Sequence, residues 1–292
     1  MNNLKFAIQK SGRLTENSIQ LLRQCGYEIE DPYRKMVLPC SNHPMDIYFL
    51  RDNDIPKYIL DGIAHFGIVG ENLLHESFSD ELLNGKIKVL AKLPFGKCRL
   101  SLAFPKDVKI TELMQIAGKT IATSYPNILA SVLDQKNIEV RIVNLEGGVE
   151  IAPLINMSDG IFDIVSTGST LKAHGLVESF ELAQSQCVLV ARNNLSPEEE
   201  KFAQSLVNRI ECTVKAKKSR YLMLNAPKIR VTEICKILPG ADSPSIIELS
   251  TDSTKVAIHA VTNEEVMWET IEKLKAIGAS SILVLPIEKI ME

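Results

Sequence analysis

At about 100–200 residues per domain, the chain of 292 residues is expected to form two domains, or two domains and a small module. Hydrophobic residues make up 45% of the sequence and charged residues 24%, which excludes a disordered chain, a collagen and a coiled-coil rod. The net charge of −3 provides no broad basic surface, so general nucleic-acid binding is disfavoured.

The sequence also disfavours export, membrane insertion and a zinc site. Residues 1–10 lack the apolar core of a signal peptide, and no apolar run reaches the roughly 18–20 residues of a membrane helix. The six cysteines form no Cys-x-x-Cys pair, and the five histidines form no His-Glu-x-x-His motif. We therefore expect a cytoplasmic protein with reduced thiols and no dedicated protein metal site.

Strand-like and helix-like segments alternate along the first two thirds of the chain. Short apolar runs predict strands at 4–8, 45–50, 66–69, 99–104, 120–123, 139–143, 162–165 and 187–191, the last of these returning to the first lobe. Thr15 can cap a helix that stops at Gly26, and a second helix is predicted from Ile55 to Ala64. Ser196 can cap a third helix, which begins at the next residue. This alternation is typical of a largely parallel α/β sheet.

One internal echo indicates two related lobes. Residues 61–70 and 159–168 both have the pattern of a helix end, a buried strand and a turn with glycine. In α/β sheets, loops at the carboxyl ends of strands line the ligand crevice. The alternative is that Asp-Gly followed by apolar residues is simply a common exit from a helix into a strand.

The C-terminal part of the sequence has a separate pattern. Strands are predicted at 221–224, 245–249, 256–261 and 281–286, with helices at 229–238 and 264–277. The order βαββαβ is that of a ferredoxin-like unit, and its core is expected around Trp268, Ile271 and Leu274. We expect a first lobe at 1–99 with 183–214, a second lobe at 100–182 and a third domain at 215–292.

The strongest local signal for chemistry is the stretch from Asp163 to Thr170. A buried strand leads into Ser166, Thr167, Gly168, Ser169 and Thr170, which can offer backbone N–H groups and hydroxyls to a phosphate at the start of a helix. The alternative is an ordinary helix cap with a tight turn.

Two further clusters follow predicted strands. Lys10-Ser11-Gly12-Arg13 places two cations and a hydroxyl where a diphosphate or triphosphate could bind, and solvated surface charge is the alternative. Arg51-Asp52-Asn53-Asp54 could hold a magnesium shell or ribose hydroxyls, or could cap the following helix. The echo places Gly70-Glu71-Asn72 opposite the 166–170 loop. Together these clusters suit a polyphosphate substrate with magnesium.

These motifs resemble the long form of the ATP phosphoribosyltransferase family, which opens histidine biosynthesis. The likeness covers essentially the whole chain and rests on the following segments: 9–14, 51–56, 61–62, 70–72, 98–103, 121–126, 163–171, 268–270 and 278–286. It implies a two-lobe core like that of periplasmic binding proteins, with a ferredoxin-like regulatory domain. The implied reaction converts ATP and phosphoribosyl pyrophosphate to phosphoribosyl-ATP and pyrophosphate with Mg²⁺.

The resemblance also assigns roles to residues. Asp163 would contact the ribose hydroxyls, and Ser166 to Thr170 the 5′-phosphate. Lys10 and Arg13 would face the pyrophosphate as the catalytic cations. Arg51, Asp52 and Glu71 would lie on the ATP and Mg²⁺ side, where substrate itself would hold most of the ion. The feedback inhibitor histidine would bind at Ala241, Ser245, Val261 and Ser281.

The family likeness further implies a homo-oligomer in a dimer-to-hexamer equilibrium. Two departures stand out: Asn53 replaces the middle aspartate of the family's Asp-Asp-Asp-Ile-Pro, and Leu154 replaces an arginine that many members carry. A different class of function, a two-lobe sensor of a phosphorylated metabolite without catalysis, is the alternative.

Overall fold

The computed structural model describes residues 3–31, 35–78, 85–238, 243–263 and 267–291, apart from the side chains of Arg13 and Met267. The chain divides into two compact units, Met1–Ala203 and Gln204–Glu292. The first unit holds two mixed β-sheets and the second holds one antiparallel sheet.

The first sheet is built mainly from the N-terminal part of the chain. Its strands are β1 (Leu4–Gln9), β2 (Val37–Pro39), β3 (Met45–Leu50), β4 (Phe66–Gly70), β5 (Ile87–Lys92) and β11 (Cys187–Arg192). They are arranged in the order β2-β3-β1-β4-β11-β5. Every residue of β4 is buried, because strands on both sides and helices cover it. As the sequence predicted, the late strand β11 returns to this sheet.

The second sheet contains the intervening segment. Its strands are β6 (Cys98–Pro105), β7 (Thr120–Thr123), β8 (Arg141–Asn144), β9 (Gly160–Val165) and β10 (Leu176–Ser185). The order is β10-β6-β9-β7-β8. Phe104, Ile121 and Phe162 are fully buried in its core.

Both sheets contain the same five-strand arrangement. The order β3-β1-β4-β11-β5 corresponds to β8-β7-β9-β6-β10, with the same parallel and antiparallel neighbours. The echoed segments form β4 and β9, which occupy equivalent positions, so the prediction of two related lobes is confirmed. The prediction of a largely parallel sheet is confirmed for this arrangement, because four of its five strands run in one direction and only β11, or β6 in the second sheet, runs against its neighbours.

The chain passes between the two sheets twice, at residues 93–97 and at Gln186, and the two crossings are hydrogen-bonded to each other. The amide of Leu93 donates to the carbonyl oxygen of Cys187 at 2.8 Å, and the amide of Cys187 donates to the carbonyl oxygen of Phe95 at 3.2 Å. Gly96 has φ +71°, and a Cβ atom there would lie 2.5 Å from Cys187 Sγ. The crossing therefore needs glycine for both its backbone conformation and its small size.

The described α-helices before residue 219 are α1 (Arg13–Gln24), α2 (Ile55–Leu60), α3 (Glu71–Ser77), α4 (Pro126–Asp134), α5 (Ser169–Ala173) and α6 (Pro197–Lys217). Helices α1, α2 and α6 begin close to where the sequence predicts, whereas α3 and α4 were not predicted. The predicted cap at Ser196 is confirmed, since Ser196 N donates to Glu199 Oε2 at 2.8 Å and Glu199 N to Ser196 Oγ at 3.3 Å. Thr15 does not cap α1, because its hydroxyl lies inside the first turn and donates to Gln9 O at 2.9 Å.

Helix α2 is shorter than predicted. It ends at Leu60 rather than at Ala64, and Gly62 follows with φ +72°, a left-handed conformation that terminates helices. All six cysteines are free thiols, and Cys25, Cys40 and Cys187 are buried, in agreement with the prediction of reduced thiols.

The second unit has the predicted βαββαβ order. Its elements are β12 (Ser219–Pro227), α7 (Val231–Ile237), β13 (Ser245–Glu248), β14 (Lys255–Asn263), α8 (Met267–Ala276) and β15 (Ser280–Pro286). The sheet order β13-β14-β12-β15, with every pair antiparallel, is ferredoxin-like.

Leu274 is fully buried in the core of this unit, but the prediction that Trp268 belongs to that core is wrong. Trp268 is 79% exposed, because it lies six residues before Leu274 and therefore about 240° around the helix. Among the described residues, none of the helices combines the length and apolar character that crossing a bilayer requires.

We predict that Gly160→Ala destabilises the protein by about 1–3 kcal/mol, because the added methyl group overpacks β9. Its Cβ atom would lie 2.5 Å from Phe104 Cδ1 and 2.9 Å from the carbonyl oxygen of Ala103. Gly85→Ala is the matched control, since no atom lies within 4 Å of the new Cβ there. Urea unfolding of the full chain measures both, and equal midpoints for the two variants would contradict the close packing of β9.

Candidate functional site

A cavity of about 760 Å³ lies at the ends of strands from both lobes of the first unit. The first lobe contributes the ends of β1 and β3, including Lys10, Arg51 and Asp52. The second lobe contributes residues after β7 and β8, including Ser124 and Glu146. The carboxyl ends of parallel strands from the two lobes therefore face one cleft, as expected for ligand sites in α/β sheets.

Residues of two separately predicted clusters share this cavity, among them Lys10, Arg51 and Asp52. The amide of Lys10 donates to the carbonyl oxygen of Leu50 at 2.7 Å, which fixes the loop after β1 beside the loop after β3. Arg51 is exposed and Asp52 is partly buried. Asp52 begins a short 3-10 helix, and its Oδ1 accepts the amide of Asn53 at 3.0 Å. Arg13 begins α1, but its side chain lies outside the described residues.

The predicted phosphate loop follows β9 and leads into α5. Gly168 adopts φ +75° and precedes the helix, a conformation that favours glycine. Thr167 Oγ1 and Ser169 Oγ are hydrogen-bonded at 3.0 Å, and the loop is largely exposed. Ser166 lines a second cavity of about 460 Å³. The loop thus presents hydroxyls and amides at its surface, although α5 is only five residues long.

Glu71 lies apart from Arg51 and Asp52. It lines the second cavity together with Ser166, and its Oε1 forms an ion pair with Lys92 Nζ at 3.2 Å. The prediction grouped Glu71 with Arg51 and Asp52, whereas the structure places it beside the start of the phosphate loop.

The phosphate loop is held by an arginine to which sequence reasoning gave no role. Arg99 Nη1 donates to the carbonyl oxygen of Ser166 at 3.0 Å. The same guanidinium makes two hydrogen bonds to Glu178, at 2.5 and 2.6 Å, and Ser101 Oγ also donates to Glu178 at 2.8 Å. This bidentate pair fixes Arg99 and lowers the pKa of Glu178. Arg99 and Glu178 are on neighbouring antiparallel strands, opposite Gln184 and Ala103 respectively, so their side chains meet diagonally across the sheet.

Asp163 is a carboxylate in an unfavourable environment for its charge. Burial, with a contribution from the nearby charge of Glu150, raises the pKa of Asp163 to about 6. The amide of Ile164, which donates to Asp163 Oδ1 at 2.7 Å, acts in the opposite direction. Perturbed carboxylates of this kind are common at functional sites.

Tyr125 links the predicted groups of the two lobes, and sequence reasoning gave it no individual role. Its ring packs against the hydrophobic cores of both lobes. Burial raises the pKa of the Tyr125 hydroxyl most, and the charges of Asp163 and Asp52 raise it further. The ring therefore lies within electrostatic reach of Asp163 in the second lobe and Asp52 in the first.

The residues predicted to bind histidine belong to the second unit. Ser245 is on β13, Val261 on β14 and Ser281 on β15, where Ser281 adopts φ 51°. Ser245 pairs with His259, which lies two residues before Val261, so Ser245 and Val261 share one face of the sheet. Ala241 lies outside the described residues.

No dedicated metal site is formed by the part of the chain that the structure describes. There, no group of three or more histidine, cysteine, aspartate or glutamate side chains could hold a metal ion. The oxygen donors of the large cavity are instead separate, and they include Asp52, Asp54, Asn144 and Glu146.

The fold and cleft define a two-lobe α/β protein of the periplasmic-binding-protein type with an added ferredoxin-like domain. A family model described as ATP phosphoribosyltransferase matches residues 51–212, and one described as HisG, C-terminal domain matches residues 216–289. The chain therefore belongs to the ATP phosphoribosyltransferase family of pentosyltransferases, in its long form.

Two solved structures are similar to this chain, the first at the level of the family and the second at the level of the fold. A chain of the ATP phosphoribosyl transferase (HisG:HisZ) complex from Thermotoga maritima is 29% identical, with a TM-score of 0.58, covering 71% of this chain and 96% of that one. The protein Tv2483 bound to L-arginine is 12% identical, with a TM-score of 0.52 over 74% of this chain and 86% of that one, and this likeness concerns the fold alone.

We predict that Asp163→Asn stabilises the substrate-free protein above pH 6. The unfolded chain loses the Asp163 proton near the ordinary pKa of 3.8, whereas the folded protein loses it at about 6, so ionisation lowers folded stability as pH rises. The variant should gain about 1–3 kcal/mol at pH 8 and nothing below about pH 4. Thermal unfolding across pH measures this, with Asp107→Asn at an exposed turn as control. A gain that did not depend on pH would contradict the raised pKa.

Proposed function

We propose that this chain transfers the phosphoribosyl group of phosphoribosyl pyrophosphate to N1 of ATP and releases pyrophosphate, as the first step of histidine biosynthesis. The observation that carries the proposal is the cleft of this family member, where Lys10, Arg51 and Asp52 face the strand ends of the second lobe. The cavity of about 760 Å³ is large enough for a nucleotide-sized ligand.

The phosphoribosyl group is assigned to the second lobe. Asp163 would accept hydrogen bonds from the ribose hydroxyls, which would stabilise its otherwise unfavourable carboxylate. The amides and hydroxyls of Ser166, Thr167, Gly168, Ser169 and Thr170 would bind the 5′-phosphate. The hydrogen bond from Arg99 to the carbonyl oxygen of Ser166 supports this role, because it fixes the start of the loop.

The pyrophosphate is assigned to the cations after β1. Adenine N1 forms a bond to the anomeric carbon while the bond from that carbon to the pyrophosphate oxygen breaks, and its electron pair leaves with pyrophosphate. Negative charge on the leaving group therefore grows in the transition state. Lys10 and Arg13 would stabilise that charge more strongly than they stabilise the ground state.

The ATP and metal side is assigned to the first lobe. Arg51 and Asp52 line the large cavity, and Glu71, predicted for the same side, would act from the neighbouring cavity beside Ser166. Carboxylate and amide oxygens are suitable ligands for Mg²⁺, which commonly completes its shell with phosphate oxygens. Asp52 and Asp54 would thus hold the ion together with substrate. Bound Mg²⁺ would neutralise phosphate charge.

Regulation is assigned to the second unit. Histidine, as feedback inhibitor, would bind near Ser245, Val261, Ser281 and Ala241, in a homo-oligomer that interconverts between dimer and hexamer. A site outside the cleft can affect catalysis only by changing lobe closure or subunit packing. Histidine would therefore inhibit without competing with phosphoribosyl pyrophosphate.

We predict that the protein forms phosphoribosyl-ATP from ATP and phosphoribosyl pyrophosphate in the presence of Mg²⁺. Product formation is measured by ultraviolet absorbance, with pyrophosphatase present to remove pyrophosphate. Lys10→Ala should lower kcat about ten- to a hundredfold and raise KM less, because the lost charge acts mainly in the transition state. Lys109→Ala, at an exposed lysine outside the cleft, is the control. Binding of phosphoribosyl pyrophosphate without product would instead support the sensor alternative.

We predict that a chain truncated after Lys217, where α6 ends, remains active but is no longer inhibited by histidine. The reason is that residues 219–286 form a sheet with its own buried core. Steady-state inhibition patterns of the full and truncated chains test this, and the retained activity serves as the control for folding. Inhibition of the truncated chain by histidine would place the inhibitor site in the catalytic lobes.

A further inference from the structure

Helix α3 of the first lobe ends against the start of helix α4 in the second lobe, and Glu76 makes the contact. Glu76 Oε1 accepts the backbone amide of Asn127 at 3.1 Å, and Oε2 accepts that of Ile128 at 3.0 Å. The Asn127 side chain also donates through Nδ2 to the backbone carbonyl oxygen of Glu76 at 2.8 Å. Three hydrogen bonds thus join the two lobes away from the crossing segments.

These bonds supply a cap that α4 does not provide for itself. The first amides of a helix have no partner within the helix and are usually bound by the side chain of the N-cap residue. The N-cap of α4 is Tyr125, whose side chain makes no capping hydrogen bond. Glu76 takes this place from the other lobe, with one carboxylate oxygen on each of two successive amides. A negative charge at this end of the helix is also favourable electrostatically.

Helix α3 is well placed to transmit this contact because its other end is fixed at the crossing between the lobes. The amide of Asn72 donates to Ser185 Oγ at 3.0 Å, and Ser185 Oγ donates to Asn72 Oδ1 at 2.9 Å. Both side chains are buried. The helix is therefore attached to the crossing at its beginning and to the second lobe at its end.

The contact lies at the wall of the cleft. Glu76 and Asn127 both line the large cavity together with Lys10 and Asp52. If the start of α4 moved away from Glu76, Ser124 and Asn127 would also move away from the residues of the first lobe.

We propose that Glu76 is a positioning residue, which holds the second lobe closed over the cleft by capping α4 from the first lobe. This inference rests on the proposed function, since it concerns the cleft in which ATP and phosphoribosyl pyrophosphate would bind. Glu76 acts through the position of α4 and takes no part in the chemical step. Removal of its side chain leaves the bond from Asn127 Nδ2 to the backbone carbonyl but takes away the cap of α4. Closure then depends more on substrate binding, so substrate affinity falls while the closed complex reacts as before.

The test compares Glu76→Ala, Glu76→Gln and the control Glu139→Gln, at an exposed carboxylate before β8. For Glu76→Ala we expect KM for both substrates to rise about tenfold, with kcat changed less than about twofold. Hydrogen exchange of the Asn127 and Ile128 amides should become faster. Glu76→Gln should be intermediate in both measurements, because its amide has one oxygen to accept where the carboxylate has two. Glu139→Gln should match the unaltered chain.

Two results would overturn the proposal. One is unchanged KM values together with unchanged amide exchange in Glu76→Ala. The other is a fall in kcat at unchanged KM, which would place Glu76 in the chemical step. The exchange measurement needs no turnover, so it tests the cap even in a chain without activity. Absence of product from the unaltered chain would count against the proposed function alone, whereas slow exchange in Glu76→Ala would count against the cap alone.

Discussion

The cleft of this protein depends on one constraint: the carboxyl ends of the parallel strands in one lobe face those in the other lobe. In each lobe the three parallel strands end on the same side, and the two sides open toward each other. Loops after β1 and β3 can therefore reach the loops after β7 and β8, although the segments are about 100 residues apart in the chain. Each lobe supplies only part of the polar lining, so a ligand that needs both parts must bind between them.

Ionisable groups of the second lobe differ in whether the protein itself stabilises their charged form. The raised pKa of Asp163 and that of Tyr125 have the same main cause, since burial removes water that would stabilise the charged forms. By contrast, Glu178 has a lowered pKa because Arg99 binds it directly. The protein thus stabilises the carboxylate of Glu178 but not that of Asp163. Under the proposed function, the ribose hydroxyls of the substrate would supply the hydrogen bonds that Asp163 needs.

Local sequence was a sound guide to the strands, because buried runs such as Phe66–Gly70 and caps such as Ser196 depend on neighbouring residues. It was a poorer guide wherever the chain meets itself at long range. The pair of Arg99 and Glu178 depends on strand register, and the cap that Glu76 provides depends on the meeting of two lobes. The prediction for Trp268 is wrong for a different reason. Its apolar character indicates burial, but the helical period places it away from the buried face that carries Leu274.

The two crossing segments have a mechanical consequence. They run side by side and are joined by the hydrogen bonds between Leu93, Phe95 and Cys187, so they behave as a narrow ribbon rather than as two independent threads. Displacing or twisting one crossing against the other would break these bonds, so such motions are disfavoured. Motions that bend both crossings together keep the bonds intact, so we expect the lobes to open as a hinge about residues 93–97 and Gln186.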